Sequence, residues 1–292
     1  MRDDGPVVIA LDRAPHSAQA LEWGLAECRH RGAEAVLARA YREPREYTQW
    51  SWYPILGDPH LDTEAKQYLA DQLDAAAARW PDVLLTSRLL HGAEVPMLRG
   101  LSAEAQLLVV GACGSTGRAT VGRVSAHLAA HGQCPVVLVR AGHDDSFSPV
   151  VVGVDGSPTS IAAADVAARE AALRGVTLVV VHVRAVVDEP YARGAMLLPP
   201  VAAGHLEAPA HRAAQQVIAA LREQHPGLDV RLELVEDDPA HALVEVSRGA
   251  SLMVVGSRGL GAFRGMLLGS VSNDVVRHAS TNVMVVHAMD VS

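Results

Sequence analysis

After the apolar run LMVV the chain reads GSRGLGAFRGMLLGSVS, with glycines at 256, 259, 261, 265 and 269. Glycine tolerates positive φ and has no side chain to hold a ligand off the backbone, so Gly256 and Gly259 suit a chain leaving a strand with its amides exposed. Gly269 and Ser270 stand where a helix can open. The first amide protons of a helix have no intrahelical partner and lie at the positive end of its dipole. A segment of this kind can hold a phosphate, with serine hydroxyls assisting; its plainer reading is a connector. Asp155, closing the run VVVGVD, is a carboxylate able to accept from a ribose hydroxyl or a base amine, or else a cap for the helix that follows.

Strand ends must position these residues, and the chain supplies two sets of them. PVVIALDRAPHSAQALEWGLAECRHRGAEAVLARA (6–40) lies without a gap over PVVVGVDGSPTSIAAADVAAREAALRGVTLVVVHV (149–183), pairing Asp12 with Asp155, Gly32 with Gly175 and Ala40 with Val183. Farther on, LLVVGACG lies over LMVVGSRG, and GRVSAHLAAHGQCPVVLVR over GSVSNDVVRHASTNVMVVH. The economical reading is one domain written twice, 1–142 and 147–292, joined through the polar AGHDDSFS. Each copy alternates continuous apolar runs with helical stretches, predicting five strands and four helices in an α/β fold. The predicted sheet in each of the two tandem domains is parallel and open, with helices on both faces. Ligands of such sheets sit beyond the carboxyl ends of the strands, where strand order reverses. Asp155, Val183 and Gly256 are therefore expected to converge.

Composition removes several alternatives. A net charge of −8 with interspersed signs gives no basic patch for nucleic acid or an anionic membrane. No run reaches the length of a membrane span, and MRDDGPVVIA lacks the pattern of a signal peptide, so a cytoplasmic protein is expected. Three cysteines without CxxC spacing, Cys28, Cys113 and Cys134, read as reduced structural thiols. The sole lysine, Lys66, lies in a helical stretch and there is no GxxxxGK[ST], which excludes a P-loop. The first turn, VDGSPTS, is not the GxGxxG of a dinucleotide-binding fold. His127 and His131 stand four apart, but without an HExxH glutamate or a third ligand they read as structural histidines. No catalytic trio or metal set is identified. The aromatic-rich YREPREYTQWSWYP (41–54) is read as a long loop packed over its own domain or across the domain interface, with a lid or partner surface as the alternative.

Gly, two residues, Gly, nine residues, Gly-Ser, followed by VSNDVVRHA and a last apolar run, resembles the ATP-binding signature of universal stress proteins; VVVGVDGSPTS resembles that family's first strand and turn. The resemblance covers essentially the whole chain as a tandem pair and implies an adenine nucleotide alpha hydrolase-like domain. It implies ATP with Mg²⁺ as the ligand, with Asp155 and the Val183 backbone on the adenine and ribose side. Gly256, Gly259, Gly269 and Ser270 fall on the phosphate side, with Ser257, Arg258 and Ser272 beside them. The first copy departs from the pattern: GACGSTGRATVGR has seven residues between Gly114 and Gly122, and Arg123 replaces the serine. Asp12, Ala40, Gly111, Gly114 and Gly122 keep the outline of a site expected to bind less tightly or differently. The role implied is nucleotide-dependent stress signalling or regulation, with a regulatory protein partner and a homodimer as expected associations. The alternative is a slow ATP hydrolase or nucleotidyl-transferring enzyme on the same fold.

Overall fold

A computed structural model describes residues 4–41, 59–112, 121–140, 147–184, 203–261 and 268–287. The chain separates into two units. One is made of residues up to Ala112 together with Gly122–Val139, and the other runs from Arg140 onward.

In the first unit the order is β1 (Val7–Ala10), α1 (His16–Arg31), β2 (Ala35–Tyr41), α2 (Pro59–Arg79) and β3 (Leu85–His91). Then follow α3 (Glu94–Ser102), β4 (Leu107–Gly111), α4 (Arg123–His131) and β5 (Val136–Val139). Its five strands lie in the order β3-β2-β1-β4-β5, with every pair parallel. The second unit repeats this with β6 (Val150–Gly153), α5 (Pro158–Arg174), β7 (Leu178–Arg184), α6 (Ala203–Gln224) and β8 (Val230–Glu236). It closes with α7 (Pro239–Ser247), β9 (Leu252–Gly256), α8 (Ser270–His278) and β10 (Val283–Val286). Its order is β8-β7-β6-β9-β10, again all parallel. The expected α/β architecture of two tandem parallel-sheet domains is therefore the one observed.

The local sequence explains the elements. β1, β4, β6 and β9 are short β-branched and leucine runs, and nearly every residue in them is buried, as strands covered on both faces require. β3 and β8, at one end of each order, carry charged and polar residues and are largely exposed. Helix α5 starts on the Ser157 cap, whose hydroxyl accepts from the Ser160 amide, with Pro158 in its first turn. It stops at Gly175, whose φ of +66° is the left-handed conformation that glycine adopts without strain. Gly32 ends α1 in the same way at φ +62°.

Each unit also carries a buried ion pair that composition gave no hint of. Glu170 is 1% exposed and accepts from Arg174 one turn later on α5. Glu27, 2% exposed, accepts from Arg31 Nε at 2.7 Å on α1. Arg31 also donates to Gln106 Oε1 (3.0 Å), which stands just before β4. The pairs occupy matching places in the repeat and lie away from the carboxyl edge of either sheet.

Among the described residues no helix is long and apolar enough to cross a membrane. Cys28 and Cys134 are buried, and burial pushes both thiols up to about 12, consistent with inert packing residues; Cys113 lies outside the described residues.

Candidate functional site

The second unit holds a cavity of about 480 Å³ at the carboxyl edge of its sheet. It opens between β6 and β9, where the strand order reverses: the chain passes from β6 outward to β7 and β8, then crosses back to β9. Residues from several elements line it, Ser160 of α5 among them. Gly153, Val154 and Asp155 come from the end of β6, Val181 and Val183 from β7, and Pro239 and Leu243 from α7. Val255 and Gly256 end β9, Arg258, Gly259, Leu260 and Gly261 follow it, and Gly269, Ser270, Val271 and Ser272 open α8. The strand-end residues named from the sequence thus converge, one wall being apolar and the other backbone and hydroxyl.

Asp155 is the carboxylate of this cavity, and it is already engaged. Its Oδ1 accepts from the Ser157 amide (2.9 Å), forming a tight turn, and its Oδ2 accepts from the Leu260 amide (2.9 Å) across the mouth. The helix cap that the sequence left open for Asp155 is made by Ser157 instead. Burial pushes the Asp155 carboxyl upward, but hydrogen bonds from Ser157, Leu260 and Ser160 outweigh it and hold the group below the ordinary carboxylate value of 3.8. A depressed folded value means stability that is present above the unfolded value and lost as pH falls through the folded one. The stability advantage of the wild type over Asp155→Asn is therefore expected at neutral pH and should shrink as pH falls below the ordinary carboxylate value, as followed by urea titrations at successive pH. A difference that does not change with pH would show that the ionised form contributes nothing.

The glycines act differently from what the sequence suggested. Gly256 and Gly259 are not among the positive-φ glycines; in the turn it is Gly156 that has a φ of +86°. Gly256 is required by packing, since a Cβ there would stand 2.8 Å from the backbone carbon of Thr159, where α5 begins against the end of β9. At Gly259 a Cβ would meet Asp155 Oδ2 at 2.5 Å. Gly269 has room, its nearest neighbours being Arg258 Cα and the Gly259 nitrogen, both at 3.6 Å, and a Cβ on Gly261 would meet nothing within 4 Å.

Gly269 is the N-cap of α8, with φ −67° and ψ 159° and no side chain capping the first turn. Its own amide donates to the Ser257 carbonyl (2.8 Å), which fixes the helix start against the strand exit. Ser257 is 1% exposed and does not line the cavity; its amide donates to the Val286 carbonyl (2.7 Å). The Ser272 side chain lines the cavity but donates its hydroxyl to the Gly256 carbonyl (2.6 Å). Both serines thus build the wall, and Ser270, exposed in the first turn of α8, is the serine left to face a ligand. The carbonyl of Arg258 accepts from the Thr159 and Ser157 hydroxyls, so the first turn of the unit also grips the glycine segment. Thr159 in this role is not read from the sequence; its signal is the run SPTS one residue after the aspartate.

The first unit preserves much of this frame. Asp12 Oδ1 accepts from the Ala14 amide (2.9 Å), matching Asp155 and Ser157. A Cβ on Gly111 would meet His16 Cδ2 at 2.5 Å, and Ser125 donates to the Gly111 carbonyl (2.8 Å). Gly122 caps α4 without a side-chain bond, at φ −61° and ψ 151°, and Ala40 stands near the end of β2. Asp12 differs from Asp155 in that its Oδ2 lies 3.6 Å from His16 Nε2 and the side chain is 62% exposed. Gly114 and Arg118, and the aromatic stretch after Tyr41, lie outside the described residues.

A family model described as the universal stress protein family matches the chain twice, over residues 5–140 and 146–287. The chain belongs to the universal stress protein family. A universal stress protein of Mycobacterium tuberculosis strain H37Rv is 32% identical over 288 residues, with 96% of each chain covered. A second from the same strain is 32% identical over 299 residues, covering 96% of this chain and 95% of its own. These relatives have the same tandem length. Among solved structures, a universal stress protein from Archaeoglobus fulgidus superposes with a TM-score of 0.69 at 20% identity, covering 99% of this chain and 98% of its own; this likeness bears on fold alone.

Proposed function

We propose that this universal stress protein binds ATP, accompanied by Mg²⁺, in the cavity of its second unit. Binding itself is then the function, in cytoplasmic signalling or regulation under stress. The observation that carries the reading is the meeting, in one cavity of about 480 Å³, of an apolar slot, a hydrogen-bonding carboxylate and an uncapped helix start. Val154, Val181, Val183, Pro239 and Leu243 offer a surface for a flat apolar base. Asp155 and the Val183 backbone serve the base and ribose, while the glycine backbone at 256, 259 and 269, Ser270 and Arg258 serve the phosphates. Ser257 and Ser272 support that wall from behind. No cluster of three or more metal-ligating side chains occurs among the described residues, so Mg²⁺ would be held chiefly by phosphate oxygens and water.

Both oxygens of Asp155 already accept amide protons, which leaves this carboxylate a poor general base for hydrolysis. In the first unit, Asp12, Ala40, Gly111 and Gly122 would belong to a second site that binds nucleotide less tightly or differently. A homodimer and a regulatory protein partner complete the proposal.

The test is direct. Denaturing the purified protein should release an adenine nucleotide, or, if it purifies empty, MgATP at about a hundred times its Kd should stabilise it by roughly 2.7 kcal/mol. Neither nucleotide release nor a thermal shift would end the proposal.

A further inference from the structure

We propose that His127 and His131 on α4 form a two-imidazole chelating site for a borderline divalent transition ion of the Cu²⁺ and Ni²⁺ class. The sequence reading took them for structural histidines, but they do not pack as such. His127 is exposed, and the two rings stand stacked one turn apart, centroids 3.8 Å and planes within 8°. A spacing of four residues on one helix face is the spacing that lets two imidazoles reach a single ion.

The hydrogen bonding prepares at least one ring for this. His131 Nδ1 lies 2.9 Å from the His127 carbonyl oxygen. A carbonyl can only accept, so Nδ1 carries the proton and Nε2 presents its lone pair. A carbonyl behind the ligating ring is the arrangement that fixes tautomer and orientation at metal-bound histidines. Small rotations about the side-chain bonds of these surface rings, with the backbone already in place, would bring the two Nε2 atoms onto one ion.

The surroundings select the kind of ion. Arg99 and Arg123 place positive charge near His127, which weakens binding of any divalent ion, and hard cations such as Mg²⁺ or Ca²⁺ also require oxygen ligands that the pair does not offer. Neutral imidazole suits Cu²⁺, Ni²⁺ and Zn²⁺, with Cu²⁺ the tightest in the general order. No third metal-ligating side chain joins the pair among the described residues, so water would fill the remaining positions and the ion would exchange. The second unit repeats the backbone bond, His278 Nδ1 standing 2.9 Å from the Asp274 carbonyl, but there the partner at the matching position is a carboxylate. That pair should favour these ions less.

The experiment is titration of the untagged, metal-free full chain with Ni²⁺, followed by calorimetry. His127→Ala and His131→Ala should each weaken the affected binding step at least tenfold, and the double variant should do little worse than either, because a chelate fails when one arm is lost. Asp274→His supplies the converse, adding a second step of similar affinity. Thermal melts that stay at the wild-type midpoint show that each variant has folded. Wild-type affinity in both single alanine variants, or no Ni²⁺ binding by the wild type at all, would overturn the proposal.

Discussion

Replacing Glu170 with alanine is expected to destabilise the second unit by about 3–5 kcal/mol, the usual cost of breaking a buried ion pair by removing one partner. Glu170 is 1% exposed, and the Arg174 side chain that donates to it is 9% exposed. With the carboxylate gone, the guanidinium keeps its bond to the Glu170 backbone carbonyl (3.0 Å) but loses the Glu170 carboxylate in a site that water barely reaches. Attraction between the partners is only part of this figure; much of it is desolvation of the charge left behind. A hydrophobic replacement of both residues should therefore recover a large share of the loss. Urea unfolding of the single and double variants would check this, and a loss below about 1 kcal/mol for Glu170→Ala would place the pair with ordinary exposed ion pairs. Since the pair lies away from the carboxyl edge, MgATP should still stabilise whatever folded variant remains.

That pair also shows where sequence reading stops. The architecture was legible because it is written twice: two copies of Asp, Gly and β-branched runs in register restrict the topology far more than one copy can. Strand-end residues follow from the topology, so Asp155, Val183 and Gly256 are legible as neighbours from the sequence, and the family resemblance adds Gly269. A glutamate buried in α5, by contrast, looks like any helical glutamate until packing decides which face is covered. The reasons behind individual glycines were equally hidden. Gly256 reads as a loop glycine, yet it is small because the backbone of Thr159 crosses it at less than ordinary contact distance. Ser257 and Ser272 read as hydroxyls waiting for a phosphate, but one is buried away from the cavity and the other spends its proton on a strand carbonyl. Hydroxyl roles depend on which acceptors the fold brings near, and spacing along the chain does not record that.

Gly269 separates the structural use of glycine from its use toward a ligand, so Gly269→Ala should remove nucleotide binding without loss of fold. The backbone there is in the extended region, at φ −67° and ψ 159°, which alanine adopts without strain. A methyl group would sit no closer than 3.6 Å to the surrounding atoms, ordinary contact for the protein itself. Those neighbours are Arg258 Cα, the Gly259 nitrogen and the Ser257 carbonyl, so the methyl fills the gap between the strand exit and the helix start. In the proposed ATP complex, that gap is where a phosphate would enter to reach the uncapped amides of α8. Gly256→Ala makes the contrast: its Cβ is driven against the Thr159 backbone, and overpacking of this kind costs about 1–3 kcal/mol in stability. The expected outcome for Gly269→Ala is a melting midpoint at the wild-type value without nucleotide, and loss of the roughly 2.7 kcal/mol that MgATP at a hundred times Kd should confer on the wild type if the proposed site holds it. If the variant still gains that stabilisation, the phosphates do not approach between Gly259 and α8. In that event the cavity must be read as one for a smaller or uncharged ligand resting on Asp155 and the apolar wall.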